Sequence, residues 1–184
     1  MSTDRRFEKT SGETVYEGKI FSVEKATFRF ADDGEEATRE IVRHPGAVGM
    51  VPVDDTHVWL VRQPREAADD PDMLEVPAGK LDEEGEEPLD TAKRELAEEI
   101  GRGAEHWEHL TTFFTSVGVM DERVYLYLAT GLHEREVDPP DESERIEVVP
   151  WPLDRLDEAI AATRDSKTLI GLLMLQQRLR DKGA

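Results

Sequence analysis

The sequence contains no cysteine, and this absence excludes several kinds of chemistry. A disulfide framework, a thiol nucleophile and a thiolate-bound metal ion all require cysteine. The five histidines do not have the spacing of metal ligands either. Any bound metal ion is therefore expected to rest mainly on oxygen ligands, which suit hard divalent cations.

The chain also lacks long apolar runs and an excess of basic residues. No segment reaches the roughly 18 consecutive apolar residues that a membrane span needs, and the N-terminal MSTDRRFEKTSGE has no signal-peptide core. We therefore expect a cytoplasmic protein with no membrane partner. The net charge of −19 argues against nucleic-acid binding, which depends on basic patches. A small anionic substrate would need local arginine, lysine or metal charge.

The length of 184 residues is enough for one well-buried core. Alternating apolar residues from Val15 to Phe30 predict an N-terminal antiparallel β element, which we assign to residues 1–43. Ala47–Val53 and His57–Gln63 predict a hairpin of the main sheet, and residues 64–73 read as a loop. Residues 44–184 are expected to form an α+β (mixed α/β) domain with helices on a mixed sheet.

One helix is predicted over Pro88–Ile100, where apolar residues recur at helical spacing. Pro88 suits the first turn and Gly101 suits a C-cap. Two further helices are predicted near the end of the chain, over about Leu153–Thr163 and Lys167–Lys182, the second capped by Ser166.

Three carboxylates stand close together on the helix predicted over Pro88–Ile100. Glu95, Glu98 and Glu99 are at positions i, i+3 and i+4, so they project along one side within a turn of each other. A solvated acidic face is one interpretation. The other is a site for Mg²⁺ or Mn²⁺, whose charge would remove the repulsion among the carboxylates.

The sequence around these carboxylates favours the metal site. Residues 79–102, GKLDEEGEEPLDTAKRELAEEIGR, resemble the Nudix box, G-x5-E-x7-R-E-U-x-E-E-x-G-U, in which U is apolar. Six residues rather than five separate Gly79 from Glu86, and Arg102 stands at the last apolar position. The resemblance implies a Nudix-type α/β/α sandwich with a mixed sheet.

The resemblance also implies roles for individual residues. Glu95 and Glu99 would bind Mg²⁺ directly, with Mn²⁺ as a substitute, and Glu98 would assist as a ligand or through a neighbouring group. The backbone carbonyl of Ala78 would complete the site. Arg94 would orient the carboxylates through charge-assisted hydrogen bonds.

Glu86 would pair with Arg94 or hold a metal-bound water, so its implied role is structural.

Segments outside the box are similar to the ADP-ribose pyrophosphatase branch of the family. These segments are REIVRHPGAV, VRQPR, LEVPAGKLD and FFTSVGVMDERVYLYLA, and the likeness extends over about residues 13 to 175. Val117 departs from the Ser-Pro-Gly of the branch. The implied reaction is metal-dependent hydrolysis of ADP-ribose to AMP and ribose 5-phosphate. Another nucleotide substrate, such as a nucleotide sugar, an oxidised nucleotide or a dinucleoside polyphosphate, is the first alternative. A non-catalytic ADP-ribose sensor is the second.

The branch also indicates substrate-binding residues. Arg62 and Arg65, followed by Arg39, are candidates for contacts with the diphosphate or terminal ribose, because guanidinium groups match phosphate oxygens. Surface charge balance is the alternative for all three. Glu122 follows the glycine loop and is a candidate for contact with substrate or metal, or else an exposed turn residue with neither role.

The catalytic base of this branch tends to come from a loop after the box, which corresponds here to DESER, residues 141–145. Glu144 is the first candidate to accept a proton from water and Glu142 is the second, whereas a solvated acidic loop is the alternative. The branch further implies a homodimer in which the N-terminal β element, with Phe21, Phe28 and Phe30, packs across the interface and helps to enclose the adenine. Core or interface packing is the simpler explanation for these aromatic residues.

Overall fold

A computed structural model describes residues 6–83, 85–135 and 145–183. The chain divides into two compact units. The first comprises Met1–Gly46 and Phe114–Arg123, and the second comprises Ala47–Phe113 and Val124–Ala184. Among the described residues, no helix combines the length and apolar character needed to cross a membrane.

The first unit contains a three-stranded antiparallel sheet in the order β1-β2-β3. Its strands are β1 (Phe7–Glu17), β2 (Ser22–Phe30) and β3 (Glu36–Arg43). The left-handed backbone of Gly34, with φ of 75°, turns the chain between β2 and β3. The predicted N-terminal antiparallel element is therefore confirmed, although β1 begins eight residues before Val15, at Phe7.

The second unit contains a mixed sheet in the order β10-β5-β4-β9-β8, with β6 paired to β5 and β7 paired to β4. The strands are β4 (Ala47–Val53), β5 (His57–Arg65), β6 (Asp70–Glu75), β7 (Ala78–Lys80), β8 (Arg102–Phe114), β9 (Arg123–Glu134) and β10 (Glu147–Pro152). β4 is buried from Val48 to Val53, as expected for a central strand with both faces covered.

The predicted pairing of β4 with β5 as a hairpin is correct only next to the turn. The antiparallel register joins Val53 to Val58, whereas β4 runs parallel to β9 along its whole length. The segment predicted as a loop, residues 64–73, also differs. It contains the end of β5, a 3₁₀ turn at Glu66–Ala68 and the start of β6, so it forms a second antiparallel connection.

Helices cover both faces of this sheet. The helices are α1 (Pro88–Ile100), α2 (Leu156–Ala162) and α3 (Ser166–Gly183). Val48 and Met50 of β4 pack in a core with the buried residues of α1, whereas Val51 and Val53 pack in a core with those of α2 and α3. The alternation follows from the period of two of a strand. The α/β/α arrangement implied by the sequence is therefore confirmed within this unit.

The bounds of α1 are those that the sequence predicts. Pro88 lies in the first turn, and Gly101 ends the helix in the left-handed conformation with φ of 66°. The amide of Gly101 donates to the carbonyl of Ala97 at 2.9 Å. The glycine therefore satisfies a carbonyl at the helix end without the strain that a side chain would add.

The N-cap of α3 is Asp165, so the prediction of Ser166 was wrong by one residue. The Asp165 carboxylate accepts from the amide of Thr168 at 2.9 Å and from its hydroxyl at 2.6 Å. An aspartate in this position satisfies one of the unpaired donors of the first turn.

Arg102, the departure at the end of the box, lies over an aromatic ring. Its guanidinium carbon is 3.7 Å from the centroid of Trp59 on β5. The Trp59 indole in turn donates to Asp54 at 2.7 Å. Arg102 thus covers an apolar surface through a cation–π contact, where the family motif has an apolar side chain.

Asp54 organises the turn between β4 and β5. Its Oδ1 accepts from the amides of Thr56 and His57, both at 2.8 Å. Partial burial would raise the pKa of Asp54, but these hydrogen bonds and the one from Trp59 lower it to about 2. The carboxylate therefore stays ionised in the folded protein to low pH.

Candidate active site

Arg94 lies at the centre of the carboxylates on α1. Its Nη1 donates to Glu95 at 2.8 Å and to Glu98 at 2.9 Å. On its other edge, Nη2 donates to Glu86 at 3.1 Å, and Nε donates to the same carboxylate at 3.3 Å. The Arg94 guanidinium thus joins two glutamates of α1 to Glu86, which precedes the helix. The expected pairing of Glu86 with Arg94 is present.

The electrostatics of this cluster favour the charged states of Arg94 and Glu86. Burial would lower the pKa of Arg94, but hydrogen bonds to Glu86 and Glu95 and the charge of Glu98 raise it above its ordinary value. The hydrogen bond from Arg94 is the main cause that lowers the pKa of Glu86, and a bond from the Thr91 hydroxyl at 2.9 Å adds to it. Arg94 and Glu86 therefore both remain charged near neutral pH.

Strand β7 brings Ala78 to the same place. The amide of Ala78 donates to Oε2 of Glu99 at 3.0 Å, so the backbone of β7 and the end of α1 are joined here. The role predicted for Ala78 uses its carbonyl as a metal ligand. That role remains a prediction, and the contact through the amide places Glu99 beside this residue.

Gly79 is required by the position of Glu95. A Cβ atom at residue 79 would lie 2.0 Å from Cδ and 2.2 Å from Oε1 of Glu95. Only glycine leaves this space, so the Glu95 side chain can lie directly over the β7 backbone. Glycine is therefore needed at the start of the box because the Glu95 carboxylate occupies the space of a Cβ atom.

The oxygen donors of this cluster are of the kind that a hard divalent cation prefers. Glu95, Glu98 and Glu99 offer carboxylate oxygens within one helical turn, and the space above Gly79 accommodates one of them. Within the described ranges, no three Asp, Glu or His side chains converge as a ready-made metal site. Arg94 provides the counter-charge for Glu95 and Glu98, so cation binding would require these carboxylates to turn from Arg94.

The two arginines predicted on β5 have acidic partners on β6. Arg62 donates to Asp72 at 2.8 Å. Arg65 donates to both oxygens of Glu75, from Nε at 2.5 Å and from Nη2 at 2.8 Å. These bonds are the main cause that raises the pKa of Arg65, and the charge of Glu99 contributes to the same shift. Arg65 therefore lies within electrostatic reach of Glu99 on α1.

Sequence reasoning missed Glu75 and Lys167. The Glu75 side chain is 1% exposed, and Lys167 of α3 donates to its Oε2 at 2.5 Å. The only sequence signal was a carboxylate between two apolar residues, Leu74 and Val76, in a strand that is buried on both sides. The partner on α3 is distant in sequence, so no local pattern reveals it.

Arg39 and Glu122 belong to the first unit. Arg39 is exposed, and its Nη1 donates to the carbonyl of Thr38 at 3.0 Å. Glu122 is half-buried, accepts from the Thr115 hydroxyl at 2.6 Å and lies 3.5 Å from Nδ1 of His44. The contacts predicted for these residues with substrate or metal remain predictions.

The first unit also contains a cavity of about 490 Å³ with aromatic walls. One wall is the segment from Val117 to Asp121, which is joined to β3 by the Val42 amide donating to Val119 at 2.8 Å and the Asp121 amide donating to Val42 at 3.1 Å. The other lining residues are Phe7, Phe28, Phe30, Ala37, Arg39, Ile41, Arg43 and Phe114.

The two candidates for the catalytic base, Glu142 and Glu144, lie outside the described residues.

Comparisons with known proteins agree with the box. The NUDIX domain model matches residues 43–172. The chain is 38% identical to a methanol dehydrogenase activator of Bacillus methanolicus, over 92% of this chain and 94% of that protein. It is 37% identical to an ADP-ribose pyrophosphatase of Bacillus subtilis, over 92% of each chain. A crystal structure of an ADP compounds hydrolase has the same fold, with a TM-score of 0.84 and 23% identity, covering 100% of this chain and 99% of that one. The chain therefore belongs to the Nudix family.

Proposed function

We propose that this protein is a divalent-metal-dependent hydrolase that cleaves the pyrophosphate link of ADP-ribose to AMP and ribose 5-phosphate. The observation that carries the proposal is the set of glutamates around Arg94, together with Glu99 beside Ala78. The choice of ADP-ribose is supported by the similarity to an ADP-ribose pyrophosphatase along nearly the whole chain.

In this proposal Glu95, Glu98 and Glu99, with the Ala78 carbonyl, hold Mg²⁺, for which Mn²⁺ substitutes. The cation, when bound, supplies positive charge that polarises the phosphates and lowers the pKa of the attacking water. The residues of the chain bind and orient the substrate. Arg65 binds a phosphate oxygen through its guanidinium, with Arg62 and Arg39 as further candidates.

The bond changes require one proton acceptor. The water oxygen forms a bond to one phosphorus, and the bond from that phosphorus to the bridging oxygen breaks. The water proton passes to a carboxylate of the 141–145 loop, Glu144 or else Glu142. Such a base is needed because metal-bound or Arg94-bound glutamates are weaker proton acceptors. Arg94 orients Glu95 and Glu98 through its hydrogen bonds before the cation binds.

The first unit, taken by itself, contains an aromatic cavity that suits a planar base. Its volume of about 490 Å³ is within the range of small-molecule sites, and the Phe7 and Phe28 rings form an edge-to-face pair with centroids 5.6 Å apart. Arg39 adds a cation that can stack on a base. Packing against another chain is the alternative use of the same aromatic surface.

A regulatory role is the second candidate function, and it is favoured by the relative named as an activator of methanol dehydrogenase. A non-catalytic sensor would bind its ligand without needing Glu95 and Glu99 for turnover. Turnover and ligand binding measured on variants of Glu95 and Glu99 therefore distinguish an enzyme from a sensor.

The test is a substrate screen with matched variants. ADP-ribose, a nucleotide sugar, an oxidised nucleoside triphosphate and a dinucleoside polyphosphate are each incubated with Mg²⁺ or Mn²⁺, and products are resolved by chromatography. Glu95→Gln and Glu99→Gln should each reduce turnover by more than about 100-fold while the thermal unfolding curve stays cooperative, because side-chain volume is kept and one anionic ligand is lost. Near-normal activity of both variants at saturating Mg²⁺ would disprove the metal assignment.

A further inference from the structure

We infer that Glu75 is a positioning residue that fixes the guanidinium of Arg65 for phosphate binding, and that Lys167 contributes positive charge beside Glu75. The inference rests on the proposed function, since it concerns how the same site recognises a diphosphate. The three residues come from β6, β5 and α3.

Both oxygens of Glu75 are occupied. Oε1 accepts from Nε of Arg65 at 2.5 Å, and Oε2 accepts from Nη2 of Arg65 at 2.8 Å and from Nζ of Lys167 at 2.5 Å. The Arg65 contact is the parallel two-bond geometry that fixes both the position and the plane of a guanidinium. A rotation of Arg65 about its last side-chain bonds would break both hydrogen bonds.

Fold stability alone does not explain a carboxylate at this position. The neighbours Leu74 and Val76 are buried apolar residues, and an apolar side chain in place of a buried ion cluster is often neutral or stabilising. Burial would raise the pKa of Glu75, but the hydrogen bond from Arg65 and the charge of Lys167 lower it below its usual value. The buried group is therefore a carboxylate held for its charge and its two acceptors.

The geometry leaves one edge of Arg65 available. The Arg65 side chain is 42% exposed, and its Nη1 has no hydrogen-bond partner among the residues that the structure describes. Glu99 is near enough to influence Arg65 through its charge. An oxygen of a phosphate bound beside the α1 carboxylates would meet a guanidinium whose orientation is already set, so less conformational entropy is lost on binding.

Lys167 sets the charge of the cluster. Arg65 and Glu75 together are neutral, and Lys167 adds one positive charge to them. Lys167 also lies 3.1 Å from Asp165, whose carboxylate caps α3 through two bonds from Thr168 and keeps its negative charge, so Asp165 offsets part of the Lys167 charge. The Lys167 side chain is only 14% exposed, so its contribution to phosphate binding is electrostatic rather than a direct contact.

The position of Lys167 is itself fixed by the strand that carries Glu75. The amide of Val76 donates to the Thr168 hydroxyl at 2.8 Å, and the Thr163 hydroxyl donates to the carbonyl of Leu74 at 2.9 Å. These buried bonds lie on both sides of Glu75 along the chain. They hold the start of α3 in register with β6, which keeps the backbone of Lys167 beside Glu75.

The experiment is a double-mutant cycle on steady-state kinetics with ADP-ribose. Glu75→Gln keeps the shape and one acceptor but loses the charge, and we expect KM to rise about tenfold or more with a smaller change in kcat. Arg65→Ala should give a similar rise. The double variant should be no worse than Arg65→Ala alone, because Glu75 acts through Arg65. Additive effects of the two substitutions would overturn the inference.

Lys167 provides an independent arm of the test. Lys167→Met should raise KM by about threefold to tenfold, and the effect should shrink as salt screens the charge. Lys167→Arg should restore a KM near that of the wild type. Equal KM values for the wild type and Lys167→Met at low ionic strength would overturn the role of Lys167.

A matched control uses another two-bond arginine–glutamate pair. Arg178 donates to Glu108 from Nη1 at 2.9 Å and from Nη2 at 2.6 Å, and this pair is exposed. Glu108→Gln makes the same chemical change and should leave KM and kcat unchanged. If Glu75→Gln lowers the melting temperature but leaves KM unchanged, Glu75 is only structural and the inference is wrong.

Failure of the proposed substrate is distinguishable from failure of this inference. If the wild type hydrolyses another nucleoside-diphosphate compound instead, the double-mutant cycle of Glu75 and Arg65 is measured with that compound. The same non-additive rise in KM is expected. Without turnover of any compound, calorimetric binding of inorganic pyrophosphate to the wild type and Glu75→Gln takes its place. A Kd weakened about tenfold by the substitution supports the positioning role, and equal Kd values would overturn it.

Discussion

Replacing Gly79 by alanine should impair catalysis far more than folding. The added Cβ would lie 2.0 Å from Cδ of Glu95, whereas ordinary van der Waals contact begins at 3.4 Å. The Glu95 carboxylate must therefore move by about 1.4 Å or the β7 backbone must shift by a similar amount. A displacement of about 1 Å in a catalytic group can reduce the rate by about 100-fold. We expect turnover to fall by about this factor.

The effect on stability should be smaller, because the atom that collides belongs to a side chain at the surface of α1, which can rotate. Thermal unfolding monitored by circular dichroism measures the stability, and turnover measured across a Mg²⁺ titration reports the metal site. The Gly79→Ala variant should need a higher Mg²⁺ concentration for half-maximal activity, because its carboxylates no longer share the wild-type arrangement.

Gly103→Ala is the matched control for this prediction. A Cβ at residue 103 would lie 2.5 Å from Nε2 of His133, an exposed side chain on β9 with no proposed role. Both substitutions thus push a strand residue against a side chain in the same unit. Gly103→Ala should retain activity and the wild-type Mg²⁺ dependence. The reasoning would be refuted if Gly79→Ala kept more than half of the wild-type turnover, or if both variants lost turnover equally.

Three further outcomes are expected. Glu144→Gln should lower turnover by about 10²–10⁴-fold with little change in substrate affinity, measured by steady-state kinetics and calorimetry; if Glu142→Gln alone abolishes turnover, Glu142 is the base. The protein should sediment as a homodimer, and deletion of residues 7–30 should yield monomer, because Phe7, Val15, Tyr16 and Ile20 are each more than half exposed; a compact full-length monomer at micromolar concentration would contradict this. Asp54, whose pKa is lowered to about 2 from an unfolded value near 3.9, should stabilise the fold above that unfolded value and lose this contribution as pH falls through about 2. The difference in unfolding free energy between the wild type and Asp54→Asn, from urea titrations, should accordingly shrink between pH 5 and pH 2, and a constant difference would argue against the assignment.

The parts of the fold that were predictable are those with strong local signals. α1 combines helical spacing of apolar residues with a proline at one end and a glycine at the other, so its bounds could be derived. The start of β1 at Phe7 could not be predicted, because all residues of the strand are exposed and its sequence has little apolar–polar alternation. The first half of β8 has a similarly weak local signal, since charged residues interrupt its pattern.

The site was predictable where its residues share one element. Glu95, Glu98 and Glu99 are close because a helix repeats every 3.6 residues, and the box then places Arg94 among them. The contact between Glu75 and Lys167 joins residues 92 positions apart, so it depends on how α3 returns to the sheet. A contact between residues so far apart in the sequence cannot be predicted from the spacing of neighbouring residues.

Because Arg102 stacks on Trp59, a substitution at either position is expected to change which residues are tolerated at the other. An aliphatic residue at 102 would satisfy the family motif but would leave the tryptophan face covered by a smaller group, and loss of the tryptophan would leave the arginine without its platform. Relatives that carry arginine at the position after the box glycine are therefore expected to carry an aromatic residue opposite it on β5. A search that pairs the two positions would retain such divergent members of the family, which a strictly aliphatic motif discards.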